Sequence, residues 1–67
     1  MNATKTASKT VTLETLGQRI DRLRHERDMT QQELADDAGM IRADLSRYIN
    51  GHCYPKFTTL RNIAHAL

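Results

Sequence analysis

The sequence predicts an all-helical domain whose centre is a pair of short helices joined by a tight turn. Apolar residues recur every three or four positions in four segments, and no segment shows the strict alternation of a half-buried strand. Start and stop signals bracket the second and third segments, with a Thr-x-x-Glu pattern at Thr30 and glycines at Gly39 and Gly51. Together these observations predict a compact four-helix domain.

Length and composition restrict the class of protein. A chain of 67 residues forms one domain and buries only about 60% of its extended surface. Its 39% hydrophobic and 27% charged residues are typical of a small globular domain. No apolar run approaches the roughly 18 residues of a membrane span, and the amino terminus lacks a signal-peptide core. Because Cys53 is the single cysteine, no internal disulfide can form, and a reducing cytoplasm is expected.

The first helix is predicted to begin at Thr12 and to end near Arg27–Asp28. Thr12 can cap it, and Glu14 suits the positive end of the helix dipole. The opposite face is charged and is expected to be solvated surface. Residues 1–11 are polar and aperiodic, which predicts a flexible arm preceding a domain at residues 12–67. The apolar stripe comprises Leu13, Leu16, Ile20 and Leu23.

The second helix has the most complete start signal. Thr30 is the expected N-cap, Glu33 closes a capping box, and Met29 can pack against the following turn. The helix should end near Ala38, where Gly39 can adopt the left-handed conformation. Small residues on its inner face allow a neighbouring helix to approach closely. That face comprises Leu34, Ala35 and Ala38.

The third helix is predicted over about Arg42–Asn50, with Gly51 as its stop. After a loop at His52–Pro55, a fourth helix is expected over about Phe57–Leu67. Since the chain ends on an apolar stripe, we expect either a further helix, making a five-helix domain, or a partner to cover it. The apolar faces comprise Leu45, Tyr48 and Ile49 on the third helix, and Leu60, Ile63, Ala64 and Leu67 on the fourth.

The charge of the chain is polarised. The formal net charge is only +2, with a pI near 9.0. Between positions 42 and 61, however, the sequence contains four basic residues and a single acidic residue, which gives a local charge of +3. The second helix instead carries three acids and no basic residue. The third helix and its following loop could therefore meet a polyanion.

The central unit resembles the helix-turn-helix of the phage-repressor-like family, the lambda repressor/Cro and Xre-type DNA-binding domains. The resemblance covers about Leu13 to Leu67, and its closing part runs from Pro55 to the last helix. It implies a lambda-repressor-like fold that binds double-stranded DNA. The residues that carry it are Thr30, Gln31, Ala35, Gly39, Leu45 and the run Ser46-Arg47-Tyr48-Ile49-Asn50-Gly51.

In such a motif the second helix enters the major groove while the first crosses the DNA backbone. The resemblance places Arg42, Ala43, Ser46 and Arg47 at the base edges. Arg42 could bond a guanine, Ala43 could touch a thymine methyl, and Ser46 is a tolerant donor or acceptor. Arg47 could read a base or clamp a phosphate.

Phosphate contacts are expected from helix ends. Gln31 lies at the amino end of the second helix, where free N–H groups and the dipole favour an anion. Asn50 is either a phosphate contact or a helix cap, roles that do not exclude each other. Lys56 occupies a cap position where a cation opposes the dipole, which a nearby phosphate would resolve. The arm, with Lys5 and Lys9, is either a tail or a further DNA contact.

Two residues at the start of the third helix depart from the family pattern. Ile41 stands where a capping Ser or Thr is usual, at a cost of roughly 1 kcal/mol. Asp44 could compensate by bonding the free backbone groups of the first turn. If Asp44 instead reads DNA, cytosine N4 is the expected partner.

The predicted function is sequence-specific DNA binding by a cytoplasmic transcriptional regulator of bacterial, phage or plasmid origin. We expect a repressor that binds a near-palindromic operator as a homodimer, with an additional C-terminal domain or partner protein as a further option. The alternative is a DNA-binding antitoxin or a protein-interaction adaptor on the same fold. No metal, cofactor or enzymatic activity is expected, because the histidines and Cys53 lack paired ligand spacing and no nucleophile motif occurs.

Overall fold

A computed structural model describes residues 14–67 and contains four helices in that range. They are α1 (Leu16–Glu26), α2 (Gln31–Ala38), α3 (Arg42–Ile49) and α4 (Phe57–Ala66). Residues 14–67 contain no strand, so the all-helical prediction is confirmed. No helix in this part of the chain is long and apolar enough to cross a bilayer. The arm, Thr12 and Leu13 lie outside the described residues.

Helix α1 begins at Leu16, so the predicted start at Thr12 is wrong. Its N-cap is Thr15, whose Oγ1 accepts from the Gln18 backbone N–H at 3.1 Å while Gln18 Oε1 accepts from the Thr15 N–H at 2.9 Å. This reciprocal box needs an amide or carboxylate three residues after the cap. Thr12 is followed at that spacing by Thr15, whose side chain is too short to return the bond.

Glu14 therefore precedes the N-cap instead of lying in the first turn. Its carboxylate accepts from Arg22 at 2.8 and 3.1 Å, and Arg19 approaches it to 3.4 Å. The hydrogen bonds from Arg22 hold the pKa of the Glu14 carboxyl below its ordinary value. Arg22 also bonds Glu26 at 2.9 Å, so the charged face of α1 carries a chain of surface ion pairs.

The turn between α1 and α2 is built around Arg24, whose side chain is only 12% exposed. Its Nη1 donates to the Met29 carbonyl at 2.7 Å, and its Nη2 donates to Asp21 Oδ1 at 2.7 Å. The Arg24 carbonyl in turn accepts from the Met29 N–H at 3.1 Å. One arginine thus joins the end of α1 to the residue before the N-cap of α2. The charged side chains of α1 were predicted to be solvated, so the role of Arg24 in the turn was not expected from the sequence.

Arg24→Ala is expected to lower the free energy of unfolding by about 1–2 kcal/mol, between an exposed ion pair and a buried charged hydrogen bond. The loss arises because the Met29 carbonyl and the Asp21 carboxylate lose their donor together. Urea unfolding followed by helical circular dichroism measures it. Arg61→Ala is the control, because Arg61 is an exposed residue of α4. Equal stabilities for both variants would contradict the role of Arg24.

Both short central helices end in the same way. Gly39 has φ +71°, and Met40 N–H donates to the Ala35 carbonyl at 2.9 Å. Gly51 has φ +79°, and the His52 N–H donates to the Arg47 carbonyl at 3.0 Å. These are left-handed glycine endings, which satisfy the last carbonyls of each helix. The predicted stops of α2 and α3 are confirmed.

The capping box of α2 is also present as predicted. Thr30 Oγ1 accepts from the Glu33 N–H at 3.0 Å, and Glu33 Oε1 accepts from the Thr30 N–H at 2.8 Å. Helix α2 packs against both α3 and α4, and α1 packs against α3. The fully covered core comprises Ile20, Leu34, Ala35, Ala38, Leu45 and Ile63. The inner face predicted for α2 is therefore confirmed.

The predicted apolar face of α3 is confirmed, and that of α4 is confirmed at Ile63 and Leu67, whereas Leu60 is half-buried in the groove lining. Tyr48 and Ile49 are half-buried and pack against the core, as predicted. On α4, Ala64 is exposed, whereas Ala66 packs against the core together with Leu67. The prediction of a buried Ala64 is wrong because the neighbouring Ile63 takes the buried position, while Ala64 lines an open groove beside α1.

Ala64 instead lies in an open groove between α1 and α4. The groove is apolar apart from Arg19 and Arg27 at its rim. Its apolar lining comprises Leu16, Ile20, Leu23, Leu60, Ile63, Ala64 and Leu67.

Helices α1 and α3 touch through their backbones at Gly17. A Cβ built on Gly17 would lie well inside 3.0 Å of the Tyr48 and Ile49 carbonyl oxygens. Real Cβ atoms do not tolerate such distances, so only glycine permits this crossing. The contact lies at the carboxyl end of α3 and therefore sets how far α3 stands from the body of the domain.

Candidate nucleic-acid interface

The exposed side of α3 contains the residues that the sequence assigned to base reading. Leu45 is fully buried on the opposite side of the same helix and anchors it. Arg42, Ala43 and Arg47 are exposed, and Ser46 is half-buried. These four residues fall within two turns of one helix, so α3 presents a short row of side chains to solvent.

The amino end of α3 has no side-chain cap. Ile41 occupies the N-cap with extended backbone, and its carbonyl accepts from the Asp44 N–H at 3.1 Å and the Leu45 N–H at 3.3 Å. Because isoleucine offers no acceptor, the first N–H groups of α3 remain available to solvent or a ligand.

Asp44 does not supply the expected cap. Among the hydrogen bonds of residues 14–67, its carboxylate accepts from Arg47 Nη2 at 2.7 Å, one turn along the helix. A charged guanidinium is a stronger donor than a backbone N–H, which explains why the predicted backbone bond is replaced. Asp44 nevertheless lies in the first turn, where its charge favours the helix dipole.

The three candidate phosphate contacts stand at three helix ends. Gln31 is the first residue of α2 and is half-buried. Asn50 follows α3 as its C-cap, with its Nδ2 a long 3.4 Å from Ser46 Oγ. Lys56 is the exposed N-cap residue of α4. Asn50 therefore takes the cap position, and its amide is only weakly engaged.

Two of these ends differ in how much anion-binding capacity they keep. At α2, the capping box engages the N–H groups of Thr30 and Glu33, and the Glu33 carboxylate already lies there. At α4, Lys56 makes no side-chain cap bond, and no acid lies in the first turn. The α4 end thus has the stronger positive potential.

Two exposed aromatic residues flank Lys56. Tyr54 is 82% exposed and Phe57 is 77% exposed, so neither contributes to the core. From the sequence, Tyr54 was assigned to a loop and Phe57 to the start of a helix. The run Tyr54-Pro55-Lys56-Phe57 combines aromatic residues with a cation, and this combination could have marked both aromatic residues as candidates for the interface.

One comparison with known proteins identifies the central unit. The model of a family described as a helix-turn-helix domain matches residues 15–67, which is most of the chain. No curated protein and no solved structure matches significantly. The family match supports DNA binding and, with it, transcription regulation.

Proposed function

The chain belongs to the helix-turn-helix domain family, and from that premise we propose that it is a sequence-specific transcriptional repressor of the phage-repressor-like, Xre type. It reads base edges in the major groove from α3. The observation that carries the proposal is the division of α3 between the fully buried Leu45 and an exposed row of donor-bearing and small side chains. A helix anchored in this way can enter a groove without losing its core.

The exposed row divides by chemistry. Arg42, at the first position of α3, donates to guanine O6 and N7. Ala43 contacts a thymine methyl, and the short Ser46 accepts or donates to a nearby base. Arg47, one turn beyond Ala43, supplies the second guanidinium. The uncapped start of α3 supports this arrangement because Ile41 makes no side-chain hydrogen bond to the first N–H groups of the helix.

Gln31, Asn50 and Lys56 hold the DNA backbone. Gln31 and Lys56 lie at helix amino ends, which suit anions, and α4 offers both an uncapped amino terminus and the Lys56 cation. Asn50 lies at the carboxyl end of α3, and its contact would come from the N–H groups of its side-chain amide. Such contacts set the docking angle of α3 and contribute affinity to every sequence alike.

A homodimer would double the number of base contacts, since one short helix reads only a few base pairs. The apolar groove between α1 and α4, with exposed Ala64 on its margin, is the surface we assign to the second copy. Two-fold symmetry then requires half-sites about 34 Å apart in a near-palindromic operator. Sedimentation equilibrium of wild type and Leu60→Glu tests this, and an unchanged dimer in the variant would contradict the assignment.

The same fold would also serve a DNA-binding antitoxin or a protein adaptor, and the groove and the acidic surface of α2 favour such a protein partner. Selection of bound sites from randomised duplexes separates the hypotheses. Enrichment of a defined site is expected for a repressor. Binding without enrichment would contradict base reading and favour the adaptor.

Lys56→Ala should weaken binding to specific and random duplexes by the same factor. The slope of log K against log salt should become shallower by about one, because one phosphate contact is lost. Fluorescence anisotropy at several salt concentrations measures both quantities. Arg61→Ala on α4 is the matched control for charge. A Lys56 variant that loses discrimination but keeps its salt slope would contradict the phosphate assignment.

A further inference from the structure

Asp44 and Arg47 form an ion pair on the exposed row of α3. Arg47 Nη2 lies 2.7 Å from Asp44 Oδ1, with 59% and 37% of the two side chains exposed. We propose that Asp44 is a positioning residue that directs Arg47 to a guanine and prevents it from acting as a phosphate clamp. The inference rests on the proposed function of α3 as the base-reading helix.

The first reason concerns charge. A phosphate clamp contributes affinity by bringing a net positive charge to the backbone and releasing counterions. The Arg47 guanidinium lies at hydrogen-bond distance from the Asp44 carboxylate, so the net charge of the pair is close to zero. A phosphate bound to Arg47 would also face the Asp44 carboxylate and be repelled. Guanine O6 and N7 are uncharged acceptors and meet no such repulsion.

The second reason concerns donors and acceptors. A guanidinium has five N–H donors, and the contact with Asp44 engages Nη2. Enough donors remain for the two acceptors on the guanine edge. The ion pair with Asp44 therefore leaves Arg47 able to read a guanine.

The third reason concerns order. An arginine side chain loses rotamer entropy when it is held in one geometry. Asp44 lies in the first turn of α3, where the helix dipole favours its charge. Its carboxylate therefore holds the Arg47 guanidinium in one orientation. An exposed pair of this spacing is weak in water, but it strengthens when the groove excludes solvent.

Arg42 provides the internal comparison. Among the ion pairs formed within residues 14–67, it takes part in none. Its charge is therefore uncompensated, while that of Arg47 is compensated. Removing the Asp44 carboxylate would leave the charge of Arg47 uncompensated, as that of Arg42 is.

The test is a double-mutant cycle with Asp44→Asn and Arg47→Ala, measured on the selected site and on random duplex. Asp44→Asn alone should tighten random binding, steepen the salt slope by up to about one, and reduce discrimination about tenfold. In the Arg47→Ala background, Asp44→Asn should still tighten binding to every duplex, because a negative charge is removed, but it should not reduce discrimination further. Asp44→Glu should restore discrimination, because it returns the carboxylate. Thermal unfolding of each variant confirms that all are folded.

Each alternative result has a defined meaning. If Asp44→Asn also reduces discrimination in the Arg47→Ala background, Asp44 acts alone as a reader or cap, and the pairing is overturned. If Asp44→Asn weakens all sequences equally, the positioning role is overturned. A wild-type chain that enriches no site overturns the base-reading function itself, and with it the pair, which distinguishes the two failures.

Discussion

Gly17→Ala is expected to lower the free energy of unfolding by about 2–3 kcal/mol, toward the upper range for overpacking. The added methyl would meet the carbonyl oxygens of Tyr48 and Ile49, which are backbone atoms and cannot rotate away. To accept it, α1 and α3 would have to separate, and the core between them would lose contact. For a domain of this size such a loss is a large part of its total stability.

The sign of this effect is diagnostic. In an open helix, Gly→Ala raises stability by up to about 1 kcal/mol through helix propensity. A stabilised Gly17→Ala variant would therefore show that α1 and α3 do not touch there. Gly39→Ala is a useful control, because Gly39 has open space around it and only its left-handed backbone opposes alanine. Urea unfolding of both variants separates the steric effect from the conformational effect.

Arg42→Ala is expected to reduce discrimination between the selected site and random duplex by about 5- to 150-fold, the effect of 1–3 kcal/mol for one bidentate base contact. The expectation follows from its exposed place at the first position of α3 and from the uncapped helix start around it. Specific affinity should fall much more than random affinity, which reflects only the lost charge.

Competition anisotropy with the selected and scrambled duplexes measures the ratio. Arg61→Ala removes the same charge from an exposed position on α4 and should leave the ratio of specific to random affinity unchanged. The double variant Arg42→Ala/Arg47→Ala should lose nearly all sequence preference. Retention of wild-type affinity and preference by that double variant would exclude α3 as the reading helix.

The sequence predicted the elements whose signals are local. The α2 capping box joins Thr30 and Glu33, which lie three residues apart, and both glycine endings depend on the conformational freedom of one residue. These interactions form within a single turn, so neighbouring residue types suffice to identify them. The period of the apolar residues similarly predicted the buried side of α3.

Errors occurred where two local options competed. Thr12 was the predicted cap of α1, but the side chain of Gln18 completes a capping box with Thr15 instead. Asp44 had a backbone option and a side-chain option, and the guanidinium of Arg47 prevails. On α4, Ala66 packs against the core and Ala64 is exposed, although the spacing of the apolar residues favoured Ala64.

By itself, then, the sequence determined four helices, the capping box of α2, the glycine stops of α2 and α3, and a central turn motif that resembles a DNA-binding family. Only the tertiary structure showed that Gly17 brings two backbones into contact, that Arg24 joins two helices, and that a groove remains open between α1 and α4. The physical reason is distance along the chain. Capping and turn formation act within a few residues, whereas packing brings together residues such as Gly17 and Tyr48, whose proximity no local pattern encodes.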